Sequence, residues 1–444
     1  MKNYTKEDVL RLLEEEDVEF IRLQFTDLHG TLKNIAVTAG KIASILENGC
    51  NFDASATDGV PRLIDSERLL VPDFSTFDIL PWRPQQGKVA RLMCDVLMPD
   101  GTPAKLCSRH ILKKNLEKAE KMGYTVEVGP ECEFFLFETD ENGNPTVVTH
   151  EQAGYFDVGP LDEGENARRD IVMNLEDMGF EINASHHEVA PAQHEIDLSY
   201  GEALETADNI QTFKLAVRTM AKRHGLHATF MPKPKNNVNG SGMHINISIT
   251  KDGKNIFGDA EDKYGISQEA YWFIGGLMKH LEGMSVITNP LVNSYKRLNP
   301  SFDAPVYIAW SARNRKQMIR IPAVMKGGSA RIELRNPDSA ANPYLTLALV
   351  VAAGLDGIEN KIMPPAAIDD NIGLLSQKER EDLGVKRLPG TLKEAIEAAK
   401  ADPFIADTLG EEAFEQYIAM KEKEWNDYNT FVSEWELSEY LNRY

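Results

Sequence analysis

Two spacings of hydrophobic residues divide this chain, one near 3.6 and one of 2. Thr5-Lys-Glu-Asp8 has the form of a capping box, with Val9, Leu10, Leu12 and Leu13 behind it, so a short helix is expected there. Over 20–27, Ile21, Leu23 and Phe25 alternate with Arg22, Gln24 and Thr26, which predicts a half-buried strand. His29-Gly30 then leads into a second alternating run, TLKNIAV, so a hairpin is expected. With further strand-like runs at 68–72 and 89–97, roughly the first hundred residues read as a small, sheet-rich domain. MPDGTPAK (98–105), with its prolines and Asp-Gly, is the expected linker, dividing the chain into 1–103 and 104–444.

Beyond the linker, SRHILKKNLEKAEKMG predicts an amphipathic helix ended by Gly123, where a left-handed cap costs little. Helical spacing recurs at 164–178, 202–224, 267–288, 340–360, 391–401 and 411–427, and strand spacing at 125–137, 193–200, 243–249 and 330–335. Elements in this order, without regular strand–helix alternation, point to an α+β fold. The last segment carries interleaved aromatics (Phe414, Tyr417, Trp425, Tyr428, Phe431, Trp435, Tyr440), which fit a packed helix better than a binding stripe.

Four of the strands place polar residues at i, i+2 positions, on one face. VGPECEFFLF presents Glu131 and Glu133. QHEID presents Gln193, Glu195 and Asp197, and Glu188 of SHHEVA lies just upstream. MHINIS presents His244, Asn246 and Ser248, and RIELR presents Arg331, Glu333 and Arg335. Any one of these is ordinarily a solvated sheet face. Together they gather carboxylates and an imidazole that would repel one another without cations. Oxygen donors with one nitrogen suit Mg²⁺ or Mn²⁺ rather than structural zinc. A divalent-metal funnel with arginines at its rim fits phosphoryl transfer. A second basic group, Arg297, Arg313, Arg315 and Arg320, supplies further candidates for holding phosphate or carboxylate.

Composition narrows the partners. Lys+Arg number 48 against 69 Asp+Glu, a net charge of −21, which argues against nucleic acid and anionic membranes. The start, MKNYTKEDVL, has no apolar signal core, and no run of about 18 apolar residues occurs. The four cysteines, Cys50, Cys94, Cys107 and Cys132, form no C-x-x-C pair, which suggests a reducing cytoplasm. No Walker A loop, G-x-G-x-x-G, G-x-S-x-G or H-E-x-x-H occurs; Asn239-Gly240-Ser241-Gly242 is a turn leading into the His244 strand.

Along essentially its whole length the sequence resembles type I glutamine synthetases. The resemblance rests on Phe52-Asp53, GPECEFF, AGYFD, HHEVAPAQHEID, KPKNNVNGSGMHINIS, NSYKRLNPSFDAP, NRKQMIRIPA and RIELRNPDSAANPYL, in order. It implies a small N-terminal β-grasp domain and a large catalytic domain whose antiparallel sheet forms a metal-binding funnel. It implies a homo-oligomer, a dodecamer of two stacked hexameric rings with active sites between subunits. The implied activity is glutamate–ammonia ligation, consuming ATP, forming ADP and using two or three Mg²⁺ or Mn²⁺ ions per site. By motif, Glu133, Glu188 and Glu195 stand as ligands of one metal and Glu131, His244 and Glu333 of the second. Asn239, Gly240, Arg297 and Arg335 stand as the glutamate clamp, and Arg315, Arg320 and Arg331 as the arginines facing phosphates. Ser248 and Tyr200 stand as nucleoside contacts; Asp53, Tyr155 and Glu188 form the ammonium pocket. Asp303 stands where the family has a flap glutamate, about 1.5 Å longer, and a deeper flap is expected to compensate. The loop reads Asp53-Ala54-Ser55-Ala56 where the family has Asp-Gly-Ser-Ser. Lys326 is a candidate for a basic residue expected before RIELR, Arg62 for a link to glutamine feedback, and Asp58 for a turn residue. The alternatives are a γ-glutamyl ligase using an organic amine and a catalytically silent glutamine-sensing ring.

Overall fold

The expected N-terminal capping box forms. Thr5 caps the helix Lys6–Glu15, with Asp8 returning the bond, and Val9 and Leu13 point into the core. The computed structural model describes residues 2–55, 57, 66–83, 86–324 and 329–444; Ala56, Asp58, Arg62 and Lys326 lie outside the described residues. Val18–Thr26 pairs antiparallel with Leu32–Thr38, as the alternating runs predict, and in parallel with Lys88–Leu97. The first sheet runs in the order 32–38, 18–26, 88–97, 67–72, 50–53. A helix the alternation did not announce, Ala39–Asn48, packs Ile42 and Leu46 into the same small core.

The Val18–Thr26 strand differs from expectation in being covered on both faces. Gln24 and Thr26, on its polar side, are buried, because Gln211 of the helix Ala203–Arg223 donates to Thr26 Oγ1 at 3.1 Å. The following turn docks on the large domain as well. A Cβ added at Gly30 (φ +90) would lie 2.8 Å from Asn342 Cα, so only glycine fits that left-handed approach. Asn342 Nδ2 donates to the Asp27 carbonyl at 3.2 Å.

The second sheet has the path 310–311, 319–320, 332–334, 243–251, 125–138, 193–198, 182–187. All pairs along it are antiparallel except the first. The period of two sorts its residues. Ile245, Ile247 and Ile249 join the core with Phe273, Leu277, Leu345 and Leu349 of the helices Gln268–Thr288 and Pro343–Glu359. His244, Asn246 and Ser248 occupy the other face. The two helices cross closely enough that a Cβ at Gly276 would lie 2.0 Å from the Ala353 carbonyl. The helix expected over the linker's far side runs Ser108–Lys121 and stops before Gly123 (φ +79). Of the C-terminal aromatics, Tyr417 packs inside, while the final helix Glu434–Tyr440 buries nothing. Among the described residues no helix is long and apolar enough to cross a membrane.

A buried charge ties the small sheet to helices of the large domain. Arg109 donates to Asp208 Oδ1 and Oδ2 at 2.9 and 2.8 Å, to Asp95 at 3.0 Å and to Asp73 at 2.8 Å. Tyr344 Oη also reaches Asp208, at 2.7 Å. Arg109→Met would strand these carboxylates, so a loss of about 3–5 kcal/mol is expected. Denaturant melts of the purified chain check this; an unchanged midpoint would show that the network contributes nothing.

Candidate active site

Strand register assembles the site. Across the sheet, Glu131 lies opposite His244 on one side and Asp197 on the other. Glu133 lies opposite Glu195, which lies opposite His186. Glu333 lies opposite Asn246 on one side and Arg320 on the other. Acidic side chains directly across a ladder are about 5 Å apart at Cβ and repel, so this face carries stored electrostatic work. It floors a cleft of about 420 Å³.

Donor atoms of Glu131, His244 and Glu333 lie within 4.8 Å of one another, and so do those of His186, Glu188 and Glu195. His244 Nδ1 is 3.0 Å from Glu131 Oε2, and Asn246 Nδ2 donates to Glu131 Oε1 at 2.8 Å. Arg320 donates to Glu333 Oε2 at 2.8 Å and Arg335 to Glu333 Oε1. Glu133, expected beside Glu188 and Glu195, accepts from Gln193 Nε2 at 3.0 Å and the Gly242 N–H at 2.9 Å through one oxygen. His186, which the sequence motif contained but did not single out, stands in that second cluster with Nε2 3.4 Å from Glu195.

Of the other expected residues, Tyr155, Asn239, Gly240, Arg297, Asp303, Arg315, Arg320 and Arg335 also line the cleft. Arg297 is almost wholly buried, and its guanidinium donates to the carbonyls of Asn336 (2.8 Å), Pro337 (3.2 Å) and Arg335 (3.2 Å). In this structure it holds the turn that carries Arg335. Asp303 Oδ1 pairs with Lys316 Nζ at 3.0 Å, and its Oδ2 accepts from Asn239 at 3.3 Å. Lys316 was not singled out from the sequence, although it directly follows Arg315 in the NRKQ motif. Ser248, Tyr200 and Arg331 lie further along the same sheet face. Tyr200 covers Gly129, where a Cβ would come within 2.9 Å of its ring, and Arg331 Nε donates to Asn246 Oδ1 at 3.2 Å. Asp53 stands apart: it ends a strand of the small sheet, is exposed, and does not line this cleft. Hydrogen bonds from Ser66 and Ser55 lower its pKa below the usual carboxylate value.

The titration of the floor follows from crowding. Burial and the nearby Glu133 push Glu188 up to about 8. Burial and the same neighbour push Glu195 well above the usual carboxylate range. Burial and Glu131 push Asp197 up to about 6. Burial also works to raise Glu131, but His244, Asn246 and Arg335 outweigh it and hold that group at about 2. A carboxylate raised in the folded state gives stability below its unfolded pKa and loses it as pH climbs through the folded one. Without metal, stability is therefore expected to fall between about pH 5 and 8.5. A divalent cation must displace these protons, so it binds more tightly as pH rises. Mg²⁺ or Mn²⁺ should raise the thermal midpoint, more at pH 8.5 than at pH 6. A thermal series across that range checks this; no gain at either pH would rule out a cation site here.

Comparisons with known proteins agree along the whole chain. Residues 17–99 match the family described as "Glutamine synthetase, beta-Grasp domain", and residues 105–440 match "Glutamine synthetase, catalytic domain". The chain is similar to the glutamine synthetase of Clostridium saccharobutylicum, 56% identical over 444 residues, covering 100% of both chains. It is 53% identical over 438 residues to that of Methanosarcina mazei, covering 99% of this chain and 98% of the relative. A solved structure of GmaS in complex with ADP superposes with a TM-score of 0.88 at 34% identity, covering 98% of this chain and 99% of that one.

Proposed function

The chain belongs to the glutamine synthetase family, and from that premise we propose that it ligates ammonia to the γ-carboxylate of glutamate, converting ATP to ADP and phosphate through γ-glutamyl phosphate. The observation that carries this is the floor of paired acidic clusters facing Arg315, Arg320 and Arg335 in one cleft.

The donor set fits divalent cations. It offers carboxylate oxygens, with His244 in the first cluster and His186 beside the second, and its raised carboxylate pKa values mark charge that wants neutralising. Glu131, His244 and Glu333 would hold one ion and Glu133, Glu188 and Glu195 another, with Mg²⁺ or Mn²⁺ the expected species. When bound, such ions neutralise phosphate oxygens and lower the barrier to attack at the γ-phosphorus.

The chain's own residues do the rest. Asn239, Gly240, Arg297 and Arg335 orient glutamate so that its γ-carboxylate faces the nucleotide. Tyr200, Ser248 and Arg331 hold ATP; the similar fold of GmaS holds ADP. Arg315 and Arg320 take up negative charge on the phosphoryl group as it moves. Tyr155 and Glu188 form a negative pocket that attracts ammonium. Asp53 receives a proton at its carboxylate, and the ammonia left behind attacks the acyl phosphate, releasing phosphate. Since Asp53 lies outside its own chain's cleft, it acts on a neighbouring subunit, and the expected assembly is two stacked hexameric rings. Asp303 closes the mouth against water. With its four cysteines free, the cytoplasm is the expected compartment.

The test is phosphate release with ATP, glutamate and Mg²⁺, comparing ammonium with methylamine and ethylamine. Ammonium should give the highest kcat/KM, with glutamine and phosphate in equal amounts. A higher kcat/KM for either amine would reassign the acceptor.

A further inference from the structure

We propose that Glu151 is the positioning residue of the ammonium pocket, which it holds together through His187. This rests on the ligase reading above. Both residues are buried behind the cleft and neither lines it, so they act through the groups they hold.

Two loops meet at this end of the cleft. One follows Glu151 and carries Tyr155; the other joins the strands Ile182–His187 and Gln193–Leu198 and begins with Glu188. Glu151 ties them to each other. Its Oε1 accepts from His187 Nε2 at 2.9 Å and from the Ala192 N–H, and its Oε2 accepts from the Ala153 N–H at 3.1 Å. On its other side the His187 ring donates from Nδ1 to the Glu188 carbonyl at 2.6 Å. One carboxylate thus fixes both ends of the loop 188–192 and the start of the loop that carries Tyr155. The strands carrying Glu131, His244, Arg320 and Glu333 take part in none of these bonds.

Backbone strain marks the same place. Phe156 has φ +63 and Ala192 φ +65, left-handed values that residues with a side chain seldom adopt. Each is held by this pair. The Ala192 N–H donates to Glu151, and the Phe156 N–H donates to the His187 carbonyl at 3.1 Å. Such conformations persist only where their surroundings over-determine them, and they gather at functional sites. The turn at Phe156 yields a stack: the Tyr155 and Phe156 ring centroids are 3.9 Å apart, and Phe156 makes a T-shaped contact with His186 at 4.8 Å. Tyr155 is thereby set against the cluster of His186, Glu188 and Glu195.

An amide cannot replace this carboxylate. Three donors converge on its two oxygens, whereas glutamine has one acceptor oxygen. Its NH₂ group would face either the Ala153 N–H or the pair of donors from His187 and Ala192. One loop is then released at almost unchanged volume.

Steady-state kinetics on the assembled protein at saturating Mg²⁺ test this. In Glu151→Gln, kcat/KM for ammonium should fall about a hundredfold, the cost of a misplacement of about 1 Å. The loss should come chiefly through KM, while KM for glutamate and for ATP stay near the wild-type values. His187→Gln, whose amide can still donate to Glu151 but not to the Glu188 carbonyl, should show the same split, and it carries the comparison if Glu151→Gln does not fold. The double variant should lose no more than the worse single one, because the two residues act as one unit. An electron-microscopy map adds a readout free of turnover: Tyr155 and the Glu188 backbone should shift by about 1 Å from their wild-type places. Equal losses for all three substrates would make the pair a support of the fold only and overturn the proposal. So would an unchanged ammonium KM, or an unmoved Tyr155 and Glu188, in a folded variant. If the wild-type acceptor proves to be an amine, the ligase reading fails by itself, and the same KM comparison with that amine decides the role of Glu151.

Discussion

Glu333→Gln should abolish γ-glutamyl phosphate formation, by about 10³-fold or more, while leaving the fold in place. Glu333 is 1% exposed and stands at the junction of three strands, with Asn246 on one side and Arg320 on the other. One of its oxygens belongs to the Glu131–His244 cluster, and both accept from arginines, Arg320 and Arg335. Glutamine keeps the shape and one acceptor but removes the charge that would hold a cation and draw both arginines toward the phosphates. Losses of about 10²–10³ follow removal of one preorganised electrostatic group, and here one substitution disturbs a metal ligand and two arginines together. Circular dichroism should stay native, because the strand's alternate residues Ile332 and Leu334 remain in the core. The thermal gain from Mn²⁺ should shrink in parallel with activity. Wild-type rates in a folded Glu333→Gln protein would show that this cluster holds no catalytic ion.

Asp303→Ala should uncouple ATP hydrolysis from glutamine formation. The Asp303 carboxylate joins two walls of the cleft, pairing with Lys316 on the arginine loop and accepting from Asn239 opposite. The hydrogen bond from Lys316 leads the interactions that lower its pKa below the usual carboxylate value. The neighbouring Phe302 is held by Lys233, whose Nζ lies 3.3 Å from the ring centroid. Lys316 thus ties the shorter carboxylate to the arginine loop. Alanine would cut the tie, admit water to γ-glutamyl phosphate and remove a charge that attracts ammonium. A misplacement of about 1 Å can cost about a hundredfold in rate, so glutamine formation should fall by that order while ATP turnover falls less. The measurement is glutamine formed per ATP consumed. A ratio still near one, at the wild-type rate, would mean that Asp303 is not the closing residue.

The sequence alone determined the local features. A period of two placed Glu131 with Glu133, His244 with Asn246, and Arg331 with Glu333, because a strand's geometry fixes which residues share a face whatever surrounds it. Helical spacing and caps likewise located Lys6–Glu15, Ser108–Lys121 and Gln268–Thr288 within a few residues. Ordered motifs carried the family resemblance, and the matched families agree with it.

Only the tertiary structure decided what depends on register and on contacts between distant segments. That Glu131 faces His244, 113 positions away, and that Glu333 faces Arg320 is set by strand register, and a one-residue slip would turn each set to the opposite face. Lys316 could be matched to Asp303, and Arg109 to Asp73, Asp95 and Asp208, only after folding, since no local spacing links them. Arg297 stands by motif as a ligand arginine, and only the structure shows that its guanidinium also holds the carbonyls of Asn336, Pro337 and Arg335. The polar side of Val18–Thr26 read as solvated, and the packing of Gln211 against it made it an interdomain wall. Alternation reports which face a side chain takes; what that face meets is settled by packing, through contacts that join segments such as those of Thr26 and Gln211, 185 positions apart.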